Sequence, residues 1–365
     1  MMNRLIARPA WPMPALAMIA LGLALTACGG SNGFSPSTPM AVPPIDASRS
    51  TAANSGLFRA IANPNLYVAD YDGNAVTVYA RGSKKLQRTI SQDVNVPIAL
   101  SFDGAGNLYV ANYNSNSVTV YAPGGEKVLR TISQGLNGPY ALAFDGDGKL
   151  YAANLGPNTV TVYGRGSTKL VRTISQGLSE PEKLAFDGSG NLYIANTGGN
   201  AVTVYAPGST KLLRTISEGV TEPKALAFDR AGDLFVANYN GSTTGNITVY
   251  APGSKTVLRT ISQGVVEPTS LAFDRSENLY VANLAGSSTG DVTVYAAGSK
   301  TVRRTISEGV SEPEGLTFDR RGDLYVADYN AAPTGHVTVY ASGKTTVLRT
   351  ISQGMTNPSA LAFGP

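Results

Sequence analysis

Four kinds of short segment recur along this chain in a fixed order, and they differ in how apolar they are. In one copy the first reads Lys183-Leu184-Ala185-Phe186 and the second Leu192-Tyr193-Ile194-Ala195, apolar throughout. The third is Ala201–Tyr205, and the fourth, residues 212–217, is the most polar. An unbroken apolar run of strand length suits burial on both faces. A loss of hydrophobicity from first to fourth suits an antiparallel sheet whose first strand lies inside and whose last meets water. Turns separate them: Asp187-Gly188-Ser189-Gly190-Asn191, where Asp can bond to its own backbone, and Asn196-Thr197-Gly198-Gly199-Asn200.

The phrase Leu-Tyr-Val-Ala-Asn or a close variant opens at Leu66, Leu108, Leu150, Leu192, Leu234, Leu279 and Leu324, spaced by 42 residues four times and 45 twice. Four short strands at that period predict an all-β fold, a seven-bladed β-propeller of four-stranded antiparallel blades. The ends support closure. The copy beginning at Leu66 lacks a first strand, and Ser359-Ala360-Leu361-Ala362-Phe363 is a first strand with nothing after it. Joining them completes the seventh blade. A β-solenoid would have shorter coils and would not need matched ends.

The unit Pro-x-x-Leu-Ala-Phe-Asp-x-x-Gly-Asn-Leu-Tyr-Val-Ala-Asn, followed by Val-Thr-Val-Tyr, resembles the NHL-repeat propellers and their bacterial relatives from about residue 65 to the end. That family includes binding scaffolds, secreted lipoproteins, and enzymes such as virginiamycin B lyase and the sugar lactonases. The resemblance therefore implies the fold and leaves binding and catalysis both open.

Residues 1–27 read as a signal segment, with Arg4 and Arg8 ahead of an apolar run too short to span a membrane comfortably. Leu25-Thr26-Ala27-Cys28 resembles the lipobox of bacterial lipoproteins, which implies cleavage before Cys28 and acylation of it. Gly29 stands where an inner-membrane retention signal would place Asp, so the resemblance implies a lipid anchor in the outer membrane of a bacterial envelope. Residues 28–58, rich in Ser, Pro, Ala, Gly and Asn, read as a flexible tether, and 59–365 as the propeller.

Composition narrows the chemistry. Cys28 is the single cysteine, so an acylated chain has no thiol left for a disulfide or a thiolate metal site. The formal net charge of +4 loses two arginines with the signal, which is no nucleic-acid footprint. A monomer is expected. The only histidine, His336, stands where sister blades carry Asn246 and Asp291, and no Ser-His-Asp spacing surrounds it.

Because the blades are so alike, function is sought where they depart from one another. The residue closing the second strand is Asp70, Asn112, Asn154, Asn196, Asn238, Asn283 and Asp328. Asp70 and Asp328 fall in blades that closure makes neighbours. At the channel mouth they could hold Ca2+ or another divalent cation, or could simply cap turns. Beside them Tyr71, Tyr113, Tyr329 and Tyr239 adjoin turns lengthened by three residues in the last three blades, a plausible recognition patch. One arginine per fourth strand, Arg88 to Arg349, reads as edge protection ahead of a binding stripe. Glutamates 180, 182, 222, 267, 312 and 314 lie in the links between blades and lysines in the opposite turns, which predicts one acidic and one basic face. The leading expectation is a lipid-anchored module that binds a protein, peptide or glycan on its link-bearing face. The alternatives are a metal-dependent lyase or lactonase-like enzyme at Asp70 and Asp328, and a passive envelope spacer.

Overall fold

The computed structural model describes residues 64–241, 244–285, 289–329 and 334–365. Residues 1–63, on which the expected signal segment, Cys28 and the expected tether fall, lie outside the described residues, as do parts of the three lengthened turns. The described chain forms seven four-stranded antiparallel sheets and contains no helix.

Each sheet is one blade with its strands in chain order, except at the closure. There the C-terminal strand Pro358–Gly364 pairs with Asn65–Asp70, and Ala75–Tyr79 and Leu86–Ile90 complete blade 1. Blades 2 to 7 begin with inner strands Pro97–Phe102, Pro139–Phe144, Pro181–Phe186, Pro223–Phe228, Pro268–Phe273 and Pro313–Phe318. Each inner strand packs against the next, and the last packs against Pro358–Gly364, which in turn meets Pro97–Phe102, so the ring is closed. The inner strands start two residues earlier than the apolar pattern indicates, at the proline that ends each link.

The burial gradient follows the hydrophobic one. Second strands such as Leu192–Asn196 are buried throughout, whereas outer strands such as Leu212–Ile216 alternate between partly buried and exposed before ending on a buried Ile. The core is divided into seven clusters, one at each blade interface. Ala143, Val160 and Val162 of blade 3, for example, pack against Leu184, Leu192 and Ile194 of blade 4. At all seven interfaces the second-strand aromatic meets the inner-strand Phe of the next blade edge-on. Tyr109 and Phe144 are 5.0 Å apart between centroids, and Phe235 and Phe273 4.9 Å. Such a pair contributes about 0.5–1.5 kcal/mol beyond the area it buries.

Polar groups repeat the same way. Third-strand tyrosines donate to a carbonyl in the link of the previous blade, as Tyr121 does to Gln92 O at 2.5 Å. The outer-strand arginines turn inward onto the second-strand tyrosine of their own blade. Arg130 Nη2 donates to Tyr109 Oη at 2.8 Å, with the guanidinium carbon 5.7 Å from the ring centroid. They are partly buried clamps as well as edge charges. Arg259 meets Phe235 instead, at 5.2 Å, and in place of the hydroxyl bond has an ion-pair contact of 3.8 Å with Asp233. The turn aspartates bond to their own backbone as the sequence suggests: Asp187 Oδ1 accepts from the N–H groups of Ser189 and Asn191, both at 2.9 Å.

Glycine is required in the lengthened turns. A Cβ on Gly290 would lie 2.4 Å from Ser311 O and from Pro313 Cδ, and one on Gly335 would meet Pro358 in the same way. The Gly290 N–H donates to Ser311 O, so the turn lies against the link backbone at a distance no other residue allows.

Candidate functional site at the link-side mouth of the channel

The residues that end the second strands are latches. Asn112 Oδ1 accepts from the N–H of Asn95 in the adjoining link, at 3.1 Å, and its Nδ2 donates to Thr119 Oγ1 at 2.9 Å. Asn154, Asn196, Asn238 and Asn283 repeat both bonds. Asp70 fills the same place at the closure. Its Oδ1 accepts from Asn357 N at 2.7 Å, and both carboxylate oxygens lie 3.0 Å from Thr356 N. Asp328 Oδ1 accepts from Ser311 N at 2.9 Å.

Both aspartates are therefore buried beneath the links, at 2% and 0% exposure, rather than displayed at the mouth. Among the described residues no group of three or more His, Cys, Asp or Glu side chains could hold a metal ion. The geometry fits the turn-capping alternative better than a pair of open carboxylates for a divalent cation. An ionised carboxylate cannot donate to the neighbouring threonine as the asparagines do. The Thr77 hydroxyl beside Asp70 has no hydrogen-bond partner among the described residues, and Thr338 Oγ1 donates to Gly309 O at 2.8 Å and lies 3.4 Å from Asp328 Oδ2. His336 Nε2 stands 3.7 Å from Asp328 Oδ2 and 3.3 Å from Gly309 O. Burial pushes the Asp328 carboxyl up to about 7, against the opposing bonds from Ser311 and Thr338.

A second ring, which the sequence reading passed over, lies one strand further in. Pro139 pairs with Asn154 and Ala141 with Ala153, so Tyr140 is the extra residue of a β-bulge. The same irregularity sets apart Ile98, Glu182, Lys224, Thr269, Glu314 and Ser359. A bulge re-aims the side chain it carries. Thr269 and Ser359 turn theirs to the first carbonyl of the next inner strand, Pro313 O at 2.6 Å and Pro97 O at 2.8 Å.

Charges from several of the others converge on the axis. Lys224 Nζ bonds both oxygens of Glu182 in the adjacent blade, at 2.9 and 3.1 Å, and Glu182 is buried. Lys183 Nζ lies 5.5 Å from the centroid of the Tyr140 ring in the blade before. Glu314 acts on both Tyr140 and Lys183, although its blade stands three places round the ring from each. Three places is the largest separation a seven-membered ring allows, so this influence crosses the channel. Burial pulls the Lys183 amine down, opposed by Glu182 and Glu314. Burial, then the carboxylates of Glu182 and Glu314, holds the Tyr140 hydroxyl well above the usual phenol range. The link-bearing face is therefore not uniformly acidic, because Glu182 and Glu312 are buried and Glu182 is paired.

The four tyrosines singled out from the sequence surround this centre and are each partly buried. Tyr71 meets Tyr329 edge-on at 5.8 Å and Tyr113 meets Tyr140 at 6.3 Å, while Lys224 Nζ stands 6.0 Å from the Tyr239 centroid. Burial, followed by Asp72 and Tyr113, raises the Tyr71 hydroxyl. Three sister blades carry Leu155, Thr197 and Leu284 at this position, all buried. The tyrosines of blades 7, 1 and 2 thus form a continuous arc with Tyr140 of blade 3.

Neither a known protein family nor a curated protein matches the chain in sequence. Solved structures do match in shape. A functionally unknown protein from Desulfotomaculum acetoxidans superposes with a TM-score of 0.67 at 16% identity, covering 82% of this chain and 98% of that one. A protein from Lactobacillus plantarum gives 0.66 at 17% identity, covering 82% and 99%. A chain of Kuenenia stuttgartiensis hydrazine synthase gives 0.62 at 17% identity, covering 77% and 92%. At these identities the likeness is one of fold, a seven-bladed propeller.

Proposed function

We propose that this chain is a lipid-anchored envelope protein whose propeller binds a protein, peptide or glycan at the link-side mouth of its channel. One observation carries the reading. In blades otherwise nearly copies of one another, the seven bulge positions hold Ile98, Tyr140, Glu182, Lys224, Thr269, Glu314 and Ser359, six kinds of residue in seven places. A purely structural position would repeat, as the prolines before them and the Asn or Asp latches beside them do. Divergence at a point where side chains are aimed at a shared axis suits recognition of an asymmetric ligand. The lipobox-like residues ending at Cys28 support the anchor, and the NHL-like phrase supports kinship with binding propellers. The Tyr71, Tyr113, Tyr239 and Tyr329 patch belongs to the same mouth.

The test is binding of the purified chain to peptide and glycan arrays. Binding should fall about tenfold or more, the scale of losing one contact of roughly 1.4 kcal/mol, when Tyr71, Tyr113 and Tyr329 are replaced by alanine. It should persist in Arg321→Ala on the opposite face. Silent arrays, or hits indifferent to the three tyrosines, would refute the reading.

A further inference from the structure

We infer that the tyrosine arc Tyr329, Tyr71, Tyr113 and Tyr140, faced by the Glu182 and Glu314 carboxylates, is a site for an organic ammonium group, and that Lys183 is a built-in occupant which such a ligand displaces. The inference rests on the mouth being the binding site and names the chemistry it takes.

Aromatic faces attract cations that come within about 6 Å of the ring centroid, and more strongly once water is excluded. This chain already places two of its own ammonium groups that way, Lys183 on Tyr140 and Lys224 on Tyr239. The mouth is therefore shaped to hold alkylammonium groups against tyrosine. The two lysines differ in their anions. Lys224 is tied by two bonds to Glu182, whereas Lys183 is held by its ring contact and by the fields of Glu182 and Glu314. Lys183 ends a flexible stem and is the one that can swing away.

The rest of the arc extends the same surface. Tyr71 and Tyr329 meet edge-on, as do Tyr113 and Tyr140, so the rings line a curved wall rather than a flat stack. Tyr140, Tyr113 and Tyr71 are close enough to act on one another, which brings the two pairs into one wall. No group of three or more His, Cys, Asp or Glu side chains that could hold a metal ion occurs among the described residues. A weakly hydrated, methylated ammonium needs only ring faces with negative charge nearby. With Lys183 displaced, Glu182 and Glu314 face one remaining lysine, Lys224, a balance that favours a cation over an anion.

The experiment compares three probes by saturation-transfer NMR on the purified chain: choline, its neutral isostere 3,3-dimethylbutan-1-ol, and a short peptide carrying trimethyllysine. Choline should bind, with the isostere weaker by about tenfold, the scale of a desolvated cation–π contact. Tyr71→Leu with Tyr329→Leu, and separately Glu314→Gln, should each weaken choline by a similar factor while the chain still melts in one cooperative transition. Lys183→Met should strengthen it. Tighter binding of the peptide than of choline would identify a protein side chain as the source of the ammonium, and the reverse a small molecule. Equal binding of the isostere, or no choline binding by the wild type and by Lys183→Met, overturns the inference. If array ligands are still lost on tyrosine replacement in that case, the mouth remains the binding site and only its ammonium chemistry falls.

Discussion

Replacing Asp328 by Asn should stabilise the propeller at alkaline pH and remove a pH dependence from its folding. Asp328 is fully buried, and burial raises its carboxyl from the ordinary 3.8 to about 7. Between those values the folded chain keeps a proton that the unfolded chain has released. Stability therefore falls as pH rises through this window and levels off above 7. About three pH units at about 1.4 kcal/mol each amount to roughly 4 kcal/mol. Asparagine at the same place carries no charge, keeps the acceptor for Ser311 N, and can donate to Thr338 as Asn196 donates to Thr203 at 2.9 Å. Urea denaturation at pH 5 and pH 8 measures the effect. The pair of pH values samples only the two units of that window above pH 5, so the wild type should lose roughly 2.7 kcal/mol between them relative to Asp328→Asn. Repeating the comparison in a His336→Asn background removes any part played by the ring nitrogen 3.7 Å away. Parallel stabilities at both pH values, or a variant less stable than wild type at pH 8, would refute the argument.

Two further outcomes concern the frame. Arg172→Met should cost about 1–2 kcal/mol in urea, because it removes both the bond to Tyr151 at 2.7 Å and the ring contact. Arg259→Met over Phe235, compared in an Asp233→Asn background that removes its ion-pair contact, should cost less, and equal losses there would show that the hydroxyl bond contributes nothing. Deleting residues 358–365 strips the pairing from Asn65–Asp70, opens the interface of Phe363 with Tyr325, and removes the Tyr67 bond to Pro365. The cooperative thermal transition should be lost, and a truncated chain melting like wild type would contradict the closure.

The fold was legible because each strand type has its own degree of hydrophobicity and is repeated seven times. The matching of Ser359-Ala360-Leu361-Ala362-Phe363 to the gap before Leu66 foretold which strands pair. The site was only partly legible. Asp70 and Asp328 stood out as the two acids in a ring of amides, but their burial depends on links folding over them from the adjoining segment, which strand pattern does not show. Glu182 and Glu314 were read as link charges because they follow a proline. The bulge that makes them inner-strand residues is a matter of register, invisible one strand at a time. A usable signal was present: the residue after each link proline is the most varied in an otherwise repeated strand. The outer-strand arginines read as edge protection, and their inward turn onto tyrosine follows from side-chain length and a partner two strands away.

Hydrogen–deuterium exchange of the chain with and without its strongest array ligand tests the central claim most directly. The account predicts slowed exchange at residues 70–72, 112–114, 139–141, 181–184, 223–225, 313–315 and 328–329, with the outer strands and opposite turns unchanged. Protection confined to the outer strands, or to the face of Arg321 and Lys344, would contradict it.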